Sequence, residues 1–138
     1  MSYENLIGLS DAAEEIVTEK NIALAIGSGS LKVFATPAMI CLIERAASRL
    51  VEKNLSAELT SVGISIDVKH IAPTPIGMKV RAEVKIVSVD GRKIIFDAVV
   101  FDERGEIAHG SHERFIVDGK KFQAKADAKF TSPQSLRP

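Results

Sequence analysis

Apolar and polar residues alternate from Leu59 onward, and this two-residue period is typical of β-strands that bury one face. The first such stretch predicts a strand over residues 59–70. Its expected inner face carries Val62, Ile64, Ile66, Val68 and His70, and its expected outer face carries Ser61, Ser65, Asp67 and Lys69. The same alternation over residues 80–86 predicts a second strand.

Short turns join the strands that follow. Asp90-Gly91 is typical of a tight hairpin turn and leads into a predicted strand over residues 93–102. A second turn at residues 103–105 leads into the last predicted strand, over residues 106–117. Because the turns are short, we expect these neighbouring strands to pair antiparallel.

The first half of the chain predicts one long helix over residues 37–54. Residues 39–43 are apolar at every position, so we expect protein to surround the helix on nearly all sides. Thr36 is a suitable N-cap, and the proline after it tolerates the first helical position. Ahead of the helix we expect a short strand over residues 14–20. A loop should follow over residues 21–35, whose Gly-Ser-Gly-Ser segment is a candidate lid or entrance.

One long helix followed by an antiparallel meander predicts the α+β class, because the sheet has only this helix on which to bury its apolar face. We therefore expect a curved antiparallel sheet wrapped around one central helix. Residues 93–102 carry apolar side chains on both faces, which predicts a second covering layer from a homodimer. Residues 1–123 should form a single domain, with residues 124–138 as a surface extension.

Charge and composition exclude several classes of partner. The 138 residues include 18 basic and 18 acidic residues with no stretch of one sign, so we expect neither nucleic acid nor an anionic membrane as a partner. The N-terminal residues lack the basic start and apolar run of a signal peptide, and no apolar stretch is long enough to span a bilayer. These features predict a cytoplasmic protein. The single cysteine, Cys41, falls in the apolar helix and predicts a buried, unreactive thiol.

Two polar residues stand where apolar side chains are expected. Glu44 follows the apolar run of the helix, and a buried carboxylate needs a partner or a proton, as acid–base and nucleophilic chemistry also require. His70 continues the inner face of its strand and should point toward the helix that carries Glu44. Each has a structural alternative: Glu44 could pair with a cation on a partly exposed face, and His70 could be a hydrogen-bonded core histidine. Thr36 could serve only as the helix cap.

Metal and phosphate sites are not predicted. His109 and His112 are three residues apart on a strand and should point to opposite faces, and no Cys or carboxylate cluster joins them. The Gly-Ser-Gly-Ser segment lacks the Gly-Lys-Ser/Thr that completes a phosphate-binding loop.

Between residues 12 and 118 the chain resembles the fluoroacetyl-CoA thioesterase-like family of the hotdog superfamily. The resemblance is carried by Ala-Thr-Pro before the helix, by Glu44 eight residues after Thr36, and by Val62-Gly63 leading to His70. It is extended by two further segments, Pro73-Thr74-Pro75-Ile76-Gly77-Met78 and His112-Glu113-Arg114. The joint spacing is more specific than any one of these motifs.

The resemblance implies a hotdog fold and the hydrolysis of a small acyl-CoA thioester to the free acid and CoA. In that family the Thr, Glu and His at these positions form the catalytic set, which implies catalytic roles for Thr36, Glu44 and His70. The Gly and the late Arg touch substrate there, which implies substrate contacts for Gly63 and Arg114. Glu44 would attack the thioester carbonyl or activate a water for that attack. No metal or organic cofactor is implied, since CoA enters as part of the substrate.

Other interpretations compete with these roles. Gly63 could mark only a bulge or the approach of a neighbouring strand, and Arg114 could be a solvated charge. The protein could bind acyl-CoA without hydrolysing it, or act as a hotdog hydratase or dehydratase on an enoyl thioester, although the chain has no Asp-x-Asn-Pro-x-His-like segment. Thr36 and Glu44 should lie about 12 Å apart along the helix axis, too far for direct contact. We therefore expect a homodimer whose subunits share each site.

Overall fold

The computed structural model describes residues 2–131. These residues form five β-strands and three α-helices, with short 3₁₀ turns at Glu4–Leu6 and Ala128–Phe130. In chain order the elements are β1 (Ser10–Ile16), α1 (Ala23–Ile26), α2 (Thr36–Glu52), β2 (Leu59–His70), β3 (Lys79–Asp90), β4 (Lys93–Asp102), β5 (Gly105–Asp118) and α3 (Gly119–Asp127).

The strands form one antiparallel sheet in the order β1-β3-β4-β5-β2, so β1 and β2 are its edges. Helix α2 contacts both edge strands as well as β3 and β4. The strands twist and the sheet curls around α2, so that strands from one edge to the other contact the same helix. The predicted α+β class, with a curved sheet around one long helix, is confirmed.

Helix α2 buries one side and exposes the other. Its buried side packs into the main core and consists of Met39, Leu42, Ile43, Ala46, Ala47, Leu50 and Val51. Pro37, Cys41 and Arg45 are exposed on the opposite side. The prediction that protein surrounds the helix on nearly all sides is therefore wrong for the single chain, and so is the predicted burial of the Cys41 thiol. The reason is that one sheet of five strands covers only the side of the helix that faces it.

Strand β2 contains a bulge that reverses its alternation. Its register with β5 shifts between Gly63 and Ser65, and Ile64 is the extra residue. Ser61, at the start of the strand, is buried, whereas Ile64 is 50% exposed. The predicted inner face is therefore wrong at Val62 and Ile64, because a single extra residue moves the side chains that precede it to the opposite face.

Both ends of the first strand differ from the sequence prediction, and two local helices were not predicted. The first strand, β1, spans Ser10–Ile16 instead of residues 14–20, and helix α1 occupies part of the predicted loop. Helix α3 follows β5 directly, capped by Asp118, whose side chain accepts a hydrogen bond from the backbone N–H of Lys121. The described part of the predicted surface extension, residues 124–131, is exposed, and the rest of that extension lies outside the described residues.

No helix within residues 2–131 is long and apolar enough to cross a membrane.

Candidate active site

Thr36 and His70 form a hydrogen-bonded pair at the start of helix α2. Thr36 Oγ1 lies 2.8 Å from His70 Nδ1. Ala35 is the N-cap residue of α2, and no side chain caps the helix, so the prediction that Thr36 acts as the cap is wrong. As the first helical residue, Thr36 directs its hydroxyl to strand β2 instead of to its own helix. His70 thus reaches helix α2, but it does so at Thr36 and not at Glu44.

The second ring nitrogen of His70 is buried and has no hydrogen-bond partner in the described residues. Burial lowers the pKa of His70, while the nearby Ala72 backbone opposes the shift, so the imidazole is held toward its neutral form. The ring borders a cleft of about 280 Å³, whose other lining residues include Ser28, Val33, Phe34 and Ile71. A buried polar atom without a hydrogen-bond partner marks His70 as a candidate functional residue beside this cleft.

Glu44 belongs to a second cluster, one that also contains Gly63 and Arg114. Glu44 Oε2 lies 3.3 Å from Arg114 Nη1, and the side chains are 44% and 7% exposed, respectively. The prediction of a carboxylate carried into the core is therefore wrong, because Glu44 stands at the edge of the covered side of α2. The alternative that Arg114 is a solvated surface charge is also wrong, because the inner face of β5 buries it.

Gly63 leaves the space in which the Glu44 carboxylate lies. A β-carbon added at Gly63 would come within 2.5 Å of Glu44 Oε2 and 3.4 Å of Arg114 Nη1. The bulge after Gly63 aims this position at helix α2, and its pairing partner on β5 is Arg114 itself. Beside them is a cleft of about 290 Å³ lined by Glu44, Gly63 and the bulge residues.

Arg114 is held from several sides. Its Nε donates to Ser61 Oγ at 2.8 Å, and its Nη2 donates to the Ser61 carbonyl at 3.0 Å. Its Nη1 lies 3.2 Å from His112 Nε2 as well as 3.3 Å from Glu44. Burial lowers the pKa of the guanidinium, and the Glu44 carboxylate opposes that shift. The cluster therefore presents a partly exposed carboxylate beside a fixed positive charge.

Sequence reasoning missed two members of this cluster, His112 and Ser61. His112 is 1% exposed, and its Nδ1 lies 2.8 Å from the Ser65 carbonyl. Burial lowers the pKa of His112, the hydrogen bond to the Ser65 carbonyl opposes that shift, and the nearby Arg114 charge adds to it. The period of β5 held the signal that could have found it, since His112, Arg114 and Ile116 share one face and Ile116 is apolar.

The two clusters lie far apart within one chain. Thr36 and Glu44 are separated by about 12 Å along α2, and Gly63 and His70 by about 23 Å along β2. The structure therefore brings Thr36 together with His70, and Glu44 together with Gly63 and Arg114, but it does not bring all five into one site. Within residues 2–131 no three His, Cys, Asp or Glu side chains are grouped so that they could hold a metal ion.

A curved antiparallel sheet wrapped around one central helix is the arrangement of the hotdog class of proteins. The structure resembles a hot-dog-like protein from Thermanaerovibrio acidaminovorans, with a TM-score of 0.85 at 20% identity over 94% of this chain and 98% of that chain. It also resembles a FlK variant in complex with acetyl-CoA, with a TM-score of 0.84 at 29% identity over 89% of this chain and 97% of that chain.

The chain belongs to the family described as fluoroacetyl-CoA-specific thioesterase, whose model matches residues 17–120. It is 37% identical over 98 residues to the fluoroacetyl-CoA thioesterase of Streptantibioticus cattleyicolor, which covers 71% of this chain and 70% of that protein. The family resemblance found in the sequence is confirmed.

Proposed function

We propose that this protein is an acyl-CoA thioesterase that hydrolyses a small acyl-CoA thioester to the free acid and CoA. Membership of the thioesterase family supports this reaction. The observation that carries it is the Glu44 carboxylate, which is partly exposed, lies beside the buried Arg114 guanidinium, and faces the space left by Gly63. A carboxylate that is held in place but still accessible is what attack on a carbonyl, or activation of a water, requires.

Glu44 has two routes to hydrolysis, as a nucleophile or as a general base, and the remaining residues have the same roles in both. If Glu44 attacks the thioester carbonyl, an acyl anhydride forms, the CoA thiolate leaves, and water then hydrolyses the anhydride. If Glu44 acts as a base, it takes a proton from the water that attacks. In both routes His70, whose Nε2 has no hydrogen-bond partner within the described residues, moves a proton, and Thr36 fixes the imidazole through Nδ1. Gly63 and Arg114 contact the substrate, and backbone N–H groups near the start of α2 or at Gly63 stabilise the developing oxyanion. The proposal needs no metal or organic cofactor.

We further propose that each site is shared between the subunits of a homodimer. The two clusters are too far apart to act together within one chain, and the exposed side of α2 and the open edge of β2 are both available for a second copy. Antiparallel pairing of two β2 strands, centred on Asp67, would keep both inner faces on one side of the sheet and, across the bulge, bring His70 opposite Gly63 of the partner subunit. The Thr36–His70 pair of one chain would then face the Glu44 cluster of the other.

A panel of short-chain acyl-CoA thioesters, assayed for free thiol and for enoyl absorbance, tests the reaction. We expect release of free thiol in step with loss of the thioester. Bound acyl-CoA that survives incubation would indicate a binding protein, and a change in enoyl absorbance without free thiol would indicate a hydratase.

Two variants test the assigned chemistry. Glu44→Gln and His70→Ala should each lower kcat by about 100-fold or more, the scale for loss of a positioned acid–base group. Glu52→Gln, on the exposed end of the same helix, is the matched control and should turn over normally. Near-normal turnover by a folded Glu44→Gln variant would contradict the role of Glu44.

A further inference from the structure

The hydrogen bonds of Arg114 leave little freedom for its guanidinium. A guanidinium has five N–H donors in a fixed fork. In Arg114 the donors on Nε and Nη2 anchor the group to Ser61, and one donor on Nη1 points to His112 Nε2. The other Nη1 donor points to Glu44. His112 therefore contacts the same nitrogen that contacts the carboxylate.

The two ring nitrogens of His112 have distinct and complementary roles. Its Nδ1 faces the Ser65 carbonyl, which can only accept, so Nδ1 carries the proton. Its Nε2 faces an Arg114 N–H, which can only donate, so Nε2 offers a lone pair. A single neutral tautomer satisfies both contacts, whereas the protonated ring would set an N–H of His112 against an N–H of Arg114.

The His112 ring is also held rigidly. It is 1% exposed and stacks on Phe96, with ring centroids 5.7 Å apart. The Ser65 carbonyl that fixes its tautomer belongs to the β2 bulge. A continuous chain of hydrogen bonds thus runs from the bulge backbone through His112 and Arg114 to Glu44.

We propose that His112 is a positioning residue that orients the Arg114 guanidinium, and through it the Glu44 carboxylate, for thioester hydrolysis. The inference rests on the proposed function of Glu44. Without an acceptor at the place of Nε2, the Nη1 end of Arg114 loses one of its anchors and the carboxylate loses its fixed partner. A misplacement of about 1 Å in such a group can cost about 100-fold in rate.

Two amide variants separate this role from a merely structural one. In His112→Asn the amide nitrogen replaces Nδ1 and keeps the bond to Ser65, but nothing reaches Arg114. In His112→Gln the longer side chain brings an amide oxygen to the place of Nε2 and keeps the bond to Arg114. Positioning predicts that the Asn variant loses about 10-fold or more in kcat with KM little changed, while the Gln variant stays within about 3-fold of wild type.

If His112 served only to join β2 and β5, the Asn variant should keep a higher kcat than the Gln variant, because the bond to Ser65 is the one that joins the strands. Equal kcat values, or a higher kcat in the Asn variant, would overturn the proposal. The matched controls are His109→Asn and His109→Gln, at an exposed histidine of the same strand whose side chain contacts Glu106. These should leave kcat unchanged.

A double-mutant cycle tests whether His112 acts through Arg114. In an Arg114→Lys background, His112→Asn should lower kcat no further, because the link it breaks is already lost. Additive losses would overturn the proposal.

A measurement on the unsubstituted protein can still contradict the proposal if both amide variants fail to fold. The ¹⁵N chemical shifts of His112 at about pH 7 should report a neutral ring with its proton on Nδ1. A proton on Nε2 would mean that Arg114 cannot donate there, and the proposal would be wrong. If the proposed function itself fails, the unsubstituted protein will release no thiol; if only this inference fails, thiol release will be intact.

Discussion

At the scale of single residues, Thr36 shows how one side chain can have a structural and a chemical interpretation that only its contacts distinguish. Threonine before proline at a helix start is typical of an N-cap. In the structure, however, the capping position is Ala35, and the Thr36 hydroxyl bonds to His70 Nδ1. The hydroxyl therefore belongs to the candidate site and contributes no bond to the helix end.

This placement predicts that Thr36 variants change activity much more than stability. Thr36→Ser keeps the hydroxyl and should retain most activity, whereas Thr36→Ala should lower kcat by about 10-fold or more, because His70 loses its partner. Since Thr36 is exposed and caps nothing, the free energy of unfolding should change by no more than about 0.5 kcal/mol in either variant. Kinetics and chemical denaturation check both. A Thr36→Ala variant that loses stability but keeps full kcat would restore the capping role.

The sequence indicated the chemical identity of the site better than its arrangement. Motif spacing singled out Glu44, Gly63, His70 and Arg114, yet it did not show that Arg114 is buried and that His70 lies apart from Glu44. Charged neighbours such as Glu113 made Arg114 look solvated. The side on which a charged residue lies depends on which strands flank its own, and that is a property of the folded sheet.

At the scale of elements, the errors in prediction arose where the alternation of buried and exposed side chains is interrupted or cannot be seen in the sequence. The alternation over residues 59–70 predicted the strand itself correctly, but Ile64, an extra apolar residue at the bulge, is indistinguishable in sequence from a buried one. Likewise, the apolar run at residues 39–43 has no periodicity, so it could not show that Cys41 faces away from the sheet. Strand β4 matched its predicted bounds, whereas β3 kept the predicted alternation over residues 80–86 but continues through a bulge at Val87 to Asp90.

Strand β2 lies so close to helix α2 at Gly63 that a side chain there should disturb Glu44. Gly63→Ala would set a β-carbon 2.5 Å from Glu44 Oε2, and the half-exposed carboxylate can move away, so kcat should fall by about 10-fold or more while the fold persists. Glu44→Asp, which shortens the side chain, is the matched partner. In the Gly63→Ala background it should cost less activity than in wild type, because it relieves the contact. Equal costs in the two backgrounds would show that Gly63 and Glu44 do not interact.

At the scale of the whole molecule, two histidines with lowered pKa values predict how stability depends on pH. Burial lowers the pKa of both His70 and His112 from the ordinary value of 6.5. Below that value the unfolded chain binds protons that the folded chain does not, so the free energy of unfolding should fall as pH decreases from about 6.5. Denaturation curves between about pH 7.5 and pH 5 check this, above the range in which carboxylates titrate. His112→Gln should flatten the dependence, and a stability that rises on acidification would contradict the burial of these rings.

The last prediction concerns the proposed homodimer and its shared sites. If the Thr36–His70 pair of one subunit faces the Glu44 cluster of the other, a mixture of His70→Ala and Glu44→Gln chains should recover activity that neither has alone. Random exchange makes half of the dimers mixed, each with one intact site of two, so about a quarter of wild-type activity is expected. Glu44→Gln mixed with Arg114→Lys is the matched control: both changes affect the same cluster, so no mixed dimer regains an intact site. Sedimentation should show a dimer at assay concentration, and a fully active monomer would contradict the shared site.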